Sequence, residues 1–329
     1  MCDRQFYTIF ISTILLVSGC SGPTTQQTKP GHRGTQAPVF VPKGASQTAI
    51  LTDARALASS ALIYYKKAQY EAAEKEYHKA IDKLVLIDNH IEIGKVKNNL
   101  TLIYIKLKQW KKADLSSREA IAVFKGRKLY PDLARSLATR GRIFEGRRKY
   151  RKALELYSRA LDILSKHRGR AAFVAEQLSN IGYAHFKLKQ HKRALCYFVQ
   201  SATIHNRNRN YSALAQDYTY LGKSSLALKR TNDAMRYFQN ALIADKVTEN
   251  PFGIALSLRH ISDCYFLTGR NREAAEHLSR SIRINTVLKR TRKIVTDLKQ
   301  LIRIYKKMDD MKKVRQLSAF YNKLRKKIN

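Results

Sequence analysis

The sequence predicts an all-α fold of about seven stacked 40-residue helix-turn-helix repeats. Three observations carry this expectation. Apolar residues recur at i, i+3, i+4 and i+7, the spacing of helices with one buried side. In Ala175–Ser201, Leu178, Ile181, Gly182, His185 and Leu188 line one helix, and Ala194, Leu195, Phe198 and Ser201 a second. The pattern then repeats. With Ala194 as a ruler, equivalents fall at Ala73, Ala113, Ala153, Ala194, Ala234, Ala274 and Val314, in steps of 40, 40, 41, 40, 40 and 40 residues. Finally, six prolines and fourteen glycines in 329 residues, with 44% hydrophobic content, suit a mostly helical chain with a core.

The residues around the ruler repeat as well. Twelve before it stands a small residue in six of seven copies: Ala61, Thr101, Gly141, Gly182, Gly222 and Ser262, with Ile302 the exception. Nine before it come Tyr64, Tyr104, Phe144, His185, Ser225, Tyr265 and Tyr305. Four after it come Tyr77, Ser117, Tyr157, Phe198, Phe238, Leu278 and Ser318. This ladder resembles the tetratricopeptide repeat (TPR), over Ala49 to about Lys327. The usual TPR period is ~34 residues, so each unit here carries about six more. A HEAT-type array repeats at ~40–47 residues, but the small-residue and aromatic ladder favours TPR. The resemblance implies a TPR-like superhelical solenoid that recruits other proteins and catalyses nothing.

In chain order, residues 1–19 read as a targeting segment. Arg4 precedes an apolar run from Phe6 to Val17, too short for a membrane-spanning helix of ~20 residues and suited to a signal peptide. It ends in Val17-Ser18-Gly19-Cys20, which resembles the bacterial lipobox. That resemblance implies cleavage before Cys20, lipidation of its thiol, and, with Ser21 next, an outer-membrane address. Residues 20–48 are rich in Thr, Gln, Gly and Pro without helical period and read as a flexible tether. The repeats follow within 49–329: 49–86, 91–124, 131–164, 171–204, 211–244, 251–284 and 291–327. Pro131 and Pro251 suit first turns of helices, where no backbone donor is lost. The last repeat, dense in Lys and Arg, reads as a solvated cap. Units that cannot bury their apolar faces alone stack on their neighbours, so one elongated array is expected.

Lysine and arginine number 63 against 25 acidic residues, a net charge of +38. Such a field favours acidic partners and polyanions and says nothing of fold. Catalytic chemistry has no signature here. His-Glu-x-x-His, Cys-x-x-Cys and a glycine-rich phosphate loop are all lacking, so no catalytic residue, metal or cofactor is assigned. Cys196 and Cys264 read as small buried hydrophobes.

Two surfaces are candidates for binding. In TPR arrays the first helix of each repeat lines a groove. Carried over by position, that implies Lys95, Asn98 and Asn99 in repeat two, Arg135, Thr139 and Arg142 in repeat three, and Asn180 and Tyr183 in repeat four. Tyr220 and Lys223 follow in repeat five, and His260 and Asp263 in repeat six. Asparagines beside Arg or Lys resemble the clamp by which some TPR proteins hold a peptide carboxylate. The second surface is the basic run Arg147, Arg148, Lys149, Arg151 and Lys152 at the turn of repeat three. The expected function is a lipid-anchored envelope scaffold for proteins or peptides, with the membrane reached through the lipid. The alternative is a basic protein that binds a polyanion such as DNA, lipopolysaccharide or glycan.

Overall fold

The computed structural model describes residues 46–167 and 169–326. The segment 1–19, the Cys20 lipidation site and nearly all of the tether 20–48 lie outside the described residues. Fourteen α-helices and no strands are found among the described residues. They are α1 Gln47–Lys66, α2 Tyr70–Leu86, α3 His90–Lys106, α4 Trp110–Gly126, α5 Tyr130–Gly146, α6 Tyr150–Lys166 and α7 Ala171–Lys187. Then come α8 His191–Arg207, α9 Tyr211–Ala227, α10 Thr231–Val247, α11 Pro251–Leu267, α12 Asn271–Val287, α13 Thr291–Lys307 and α14 Met311–Arg325. Paired in order, they form seven helix-turn-helix repeats of the TPR-like solenoid class. Two compact units are distinguished, one ending at Ile93 and one beginning at Gly94, inside α3.

One turn design explains the 40-residue period. Helices α2 to α13 each run 17 residues and are joined by three. The middle joint residue is left-handed, as in Lys108 (φ 58°), Lys128 (54°), Lys189 (58°) and Lys229 (61°). The next amide reaches back five residues, Gln109 N to Tyr104 O at 2.8 Å and Gln190 N to His185 O at 2.9 Å. This is the Schellman arrangement that satisfies the last carbonyls of a helix. The same residue is the N-cap of the next helix, as Gln109 is for α4, so no spare residue separates the two. The joint of α6 to α7 is one residue longer. Gly169 N reaches Leu164 O at 2.8 Å, and Arg170 then caps α7, which is the origin of the single 41-residue step. Left-handed backbone costs an L-residue roughly 1–2 kcal/mol. Only Gly269 avoids it among the described joints. Lys or Arg there offsets part of the cost against the negative helix end, by about 0.3–1 kcal/mol.

The ruler alanines Ala73, Ala113, Ala153, Ala194, Ala234 and Ala274 are all fully buried. Facing small and large residues compensate one another. A Cβ on Gly141 would lie 2.6 Å from the Tyr157 ring, and one on Gly222 2.5 Å from the Phe238 ring. The bulkier Thr101 belongs to the repeat whose ring position is Ser117. In the first unit, α1 packs on α2. Ile50, Ala54 and Ala61 are buried in one, Tyr77, Ala80 and Leu84 in the other. In the second unit each helix from α4 onward packs on the next, and α7 also meets α9, the first helix of the following repeat.

The buried position eleven after the ruler changes character along the chain. It is Leu84, Phe124 and Leu164 in repeats one to three, then His205, Asp245 and Asn285, all no more than 4% exposed. Polar junctions result. Asp245 accepts from Asn250 Nδ2 at 2.9 Å and Ser257 Oγ at 3.2 Å. Asp297 accepts from Asn285 Nδ2 at 3.2 Å and Ser281 Oγ at 3.1 Å. Asp217, 1% exposed, lies 2.7 Å from Ser179 Oγ. Ser179 Oγ is 2.6 Å from Ser201 Oγ, which donates to Ala175 O at 2.9 Å. The thiols differ from expectation in one case. Cys264 is free and buried, whereas Cys196 is only half-buried.

Candidate functional site

In the second unit, each first helix from α5 onward packs on its own partner helix and on the helix before it. The residues left between those contacts are half-exposed, and in the second unit they carry most of the organised polar chemistry. The site is built on α5, α7, α9, α11 and α13.

At its start, Arg142 of α5 pairs with Glu176 of α7 at 2.6 Å. One turn on, Glu145 accepts the Tyr157 hydroxyl at 2.8 Å. Burial pushes the Glu145 carboxyl up, against the pull of Tyr157, Arg142 and Lys187. Burial and that same carboxylate push the Tyr157 phenol far up. Tyr183 of α7 and Tyr220 of α9 meet edge to face at 5.3 Å. Phe186 and Phe198 pack on Tyr220 at 5.4 and 5.2 Å. Burial raises the Tyr220 phenol to about 12, with Tyr183 and Glu145 adding. Lys187 lies 5.2 Å over the Tyr183 ring and Lys223 5.3 Å over the Tyr220 ring.

Further along, Arg259 of α11 sits 3.3 Å from Asp297 of α13. His260 lies 3.7 Å from Asp263 and stacks on Phe238 at 4.7 Å. Burial holds the His260 ring neutral, and Lys223 and Arg259 oppose its protonation while Asp263 favours it. Burial lowers the Lys223 ammonium first, and Lys187, Lys293 and Arg259 lower it further.

The structure brings some of the sequence-derived candidates together and separates others. Arg142, Tyr183 and Lys223 belong to this one neighbourhood, linked through Glu145, Tyr220 and Lys187. Asn98 is 5% exposed with no hydrogen bond at its Oδ1, so a ligand has no access to it. Thr139 is buried and donates to Arg135 O at 3.0 Å. Asn180 is half-buried and donates to Gln177 Oε1 at 3.3 Å. Asn99 is half-buried and Lys95 exposed. Arg135 stands 3.8 Å from Asp132 and 5.7 Å over the Phe173 ring. The basic run Arg147, Arg148, Lys149, Arg151 and Lys152 is exposed throughout, with Arg148 in the left-handed joint and Lys152 5.9 Å over Phe144.

Glu145, Glu176, Lys187, Arg259 and Lys293 are missing from the sequence-derived set. Spacing held a partial signal: Glu145 is three after Arg142 and Lys187 four after Tyr183, each on the same helical stripe. Among the described residues, no group of three or more His, Cys, Asp or Glu side chains is placed to hold a metal ion. No described helix is long and apolar enough to cross a membrane.

No protein-family model matches the chain, and no curated protein matches its sequence. Solved structures do resemble it. A signal-transduction ATPase with a tetratricopeptide repeat sensor, from Pyrococcus horikoshii, superposes with a TM-score of 0.70 at 15% identity, covering 86% of this chain and 46% of that one. Aspartyl phosphate phosphatase F from Bacillus subtilis gives 0.63 at 15% identity, with 85% and 72% covered. A Rap protein complexed with competence and sporulation factor gives 0.56 at 16% identity, with 78% and 76% covered. At such identities the likeness is one of fold, a TPR-like array of helical repeats.

Proposed function

We propose that this protein is a binding scaffold of a bacterial envelope. The first-helix face of its second unit holds a polypeptide partner and converts nothing, and a lipid at Cys20 tethers it to the outer membrane. The observation that supports this reading most is the concentration of half-exposed charged and aromatic side chains on successive first helices. Arg142–Glu176 joins α5 to α7 and Tyr183–Tyr220 joins α7 to α9. A surface serving only solubility has no need of aromatic rings and half-buried charges that meet across repeats. The Rap protein complexed with competence and sporulation factor is a precedent for a ligand held by a fold of this type. The Val17-Ser18-Gly19-Cys20 motif supports the anchor.

The test is capture from an envelope extract by the full chain in detergent, across a salt series, with Arg142→Ala and Tyr183→Ala as variants. A small set of proteins that survives moderate salt and is lost with both variants is expected. Capture that ignores both variants refutes the face. Mass spectrometry of the mature N-terminus tests the anchor: diacylglyceryl-modified Cys20 is expected, and an unmodified Met1 refutes it. A second reading, polyanion binding, draws on the exposed run Arg147–Lys152. It requires affinity to fall log-linearly with salt and to vanish when that run is neutralised.

A further inference from the structure

Resting on that reading of the first-helix face, we infer that Lys187, Lys223, Arg259 and Lys293 form one anion-binding seat, and that its occupant is a carboxylate-bearing stretch of a partner polypeptide. The four cations come from four successive first helices, one each. Lys187 is residue 17 of α7, Lys223 residue 13 of α9, Arg259 residue 9 of α11 and Lys293 residue 3 of α13. At 1.5 Å per residue, each step retreats by roughly one or two helical turns. The cations therefore follow a diagonal across the helices rather than a row at one level.

Lys223 is the centre of this diagonal. The three other cations are the charges that bear on it. Its ammonium lies 5.3 Å over the Tyr220 ring, and no ion pair to it occurs among the described residues. Glu145 is engaged with Tyr157 and Asp263 with His260, and Asp297 lies against Arg259 of the seat rather than against Lys223. A half-buried ammonium surrounded by like charge is unfavourable in the empty protein. An incoming anion relieves the repulsion and gains charge-assisted hydrogen bonds. The rings of Tyr183 and Tyr220 supply apolar floor for the rest of the bound segment.

Protein carboxylates border the seat, with Glu145 and Glu176 on one side and Asp263 on the other. A continuous phosphate backbone would be repelled by them. Isolated carboxylates along an extended polypeptide, at ~3.3 Å per residue, can meet the cations and pass the acids. This discrimination selects an acidic peptide over a nucleic acid.

The experiment measures binding of a labelled (Glu-Ala-Ala)4 peptide to the full chain in detergent by fluorescence anisotropy. The (Gln-Ala-Ala)4 peptide and an oligothymidylate serve as comparators. Lys223→Gln is expected to weaken the acidic peptide at least tenfold and to raise the Tm of the empty protein, while Lys75→Gln, on an exposed position of α2, leaves affinity unchanged. Equal affinity of wild type and Lys223→Gln for the acidic peptide overturns the seat. Tighter, Lys223-dependent binding of the oligothymidylate overturns the carboxylate assignment. The extract capture separates the two levels. Partners lost with Arg142→Ala but kept with Lys223→Gln leave the face standing and remove the seat. Partners kept with every variant remove the face itself.

Discussion

Asp217→Asn isolates a buried proton. Three contacts link Ala175 O, Ser201 Oγ, Ser179 Oγ and Asp217 Oδ1, at 2.9, 2.6 and 2.7 Å. Two hydroxyl hydrogens cannot serve three links, and a carbonyl donates nothing. The ionised carboxylate accepts from Ser179 Oγ; a protonated Asp217 reverses that bond and supplies the third hydrogen, donating to Ser179, which then donates to Ser201, and Ser201 to Ala175. Burial, against the pull of the two serines, raises this carboxyl from its ordinary 3.8 to about 6. At 1.36 kcal/mol per pH unit that amounts to about 3 kcal/mol. The folded pKa is the higher one, so the native state binds more protons between the two values. The stabilisation is present in full only well below the ordinary 3.8 and is lost as pH rises from there through 6. His205, which burial holds neutral, works in the opposite sense and is common to both proteins. Urea denaturation of wild type and Asp217→Asn at pH 4 and pH 7.5 provides the assay. The variant should gain about 2–2.5 kcal/mol on the wild type between those pH values, whatever the constant cost of fitting the amide. A relative gain under about 1 kcal/mol refutes the proton count.

Three further outcomes are expected. Gly222→Ala puts a methyl 2.5 Å from the Phe238 ring and should destabilise by about 1–3 kcal/mol. Gly126→Ala, which meets nothing within 4 Å, should stabilise by about 0.5–1 kcal/mol, both read from urea midpoints. Burial, with Asp263 adding, raises the Cys264 thiol to about 12. A maleimide at pH 7.5 should therefore leave Cys264 unlabelled in the native protein and modify it in urea; prompt native labelling contradicts the burial. Arg230 caps α10 without a side-chain bond, whereas Asn210 at the equivalent joint accepts from Ala213 N at 3.3 Å. Arg230→Asn should raise the unfolding midpoint by an amount corresponding to about 0.5–1 kcal/mol.

Sequence alone determined the helices, their pairing and the repeat. Ala73 and its equivalents are fully buried because helical periodicity dictates which stripe faces the partner helix, and that is local information. Even the 41-residue step was visible before its cause, the extra joint residue at Arg170. Tertiary structure decided which residues of different repeats share a site. Asn98 looked like a ligand-facing residue by position but is buried. Lys187, Lys223, Arg259 and Lys293 stand at different levels of their helices, stepping by 36, 36 and 34 residues rather than by the 40-residue period of the repeat. Their meeting depends on the stagger between successive repeats. The extra proton of Asp217 is of the same kind: it follows from serines 16 and 38 residues away meeting one carboxyl where water is excluded. Periodicity acts within a helix, whereas burial and charge depend on distance in space, and only packing sets that distance.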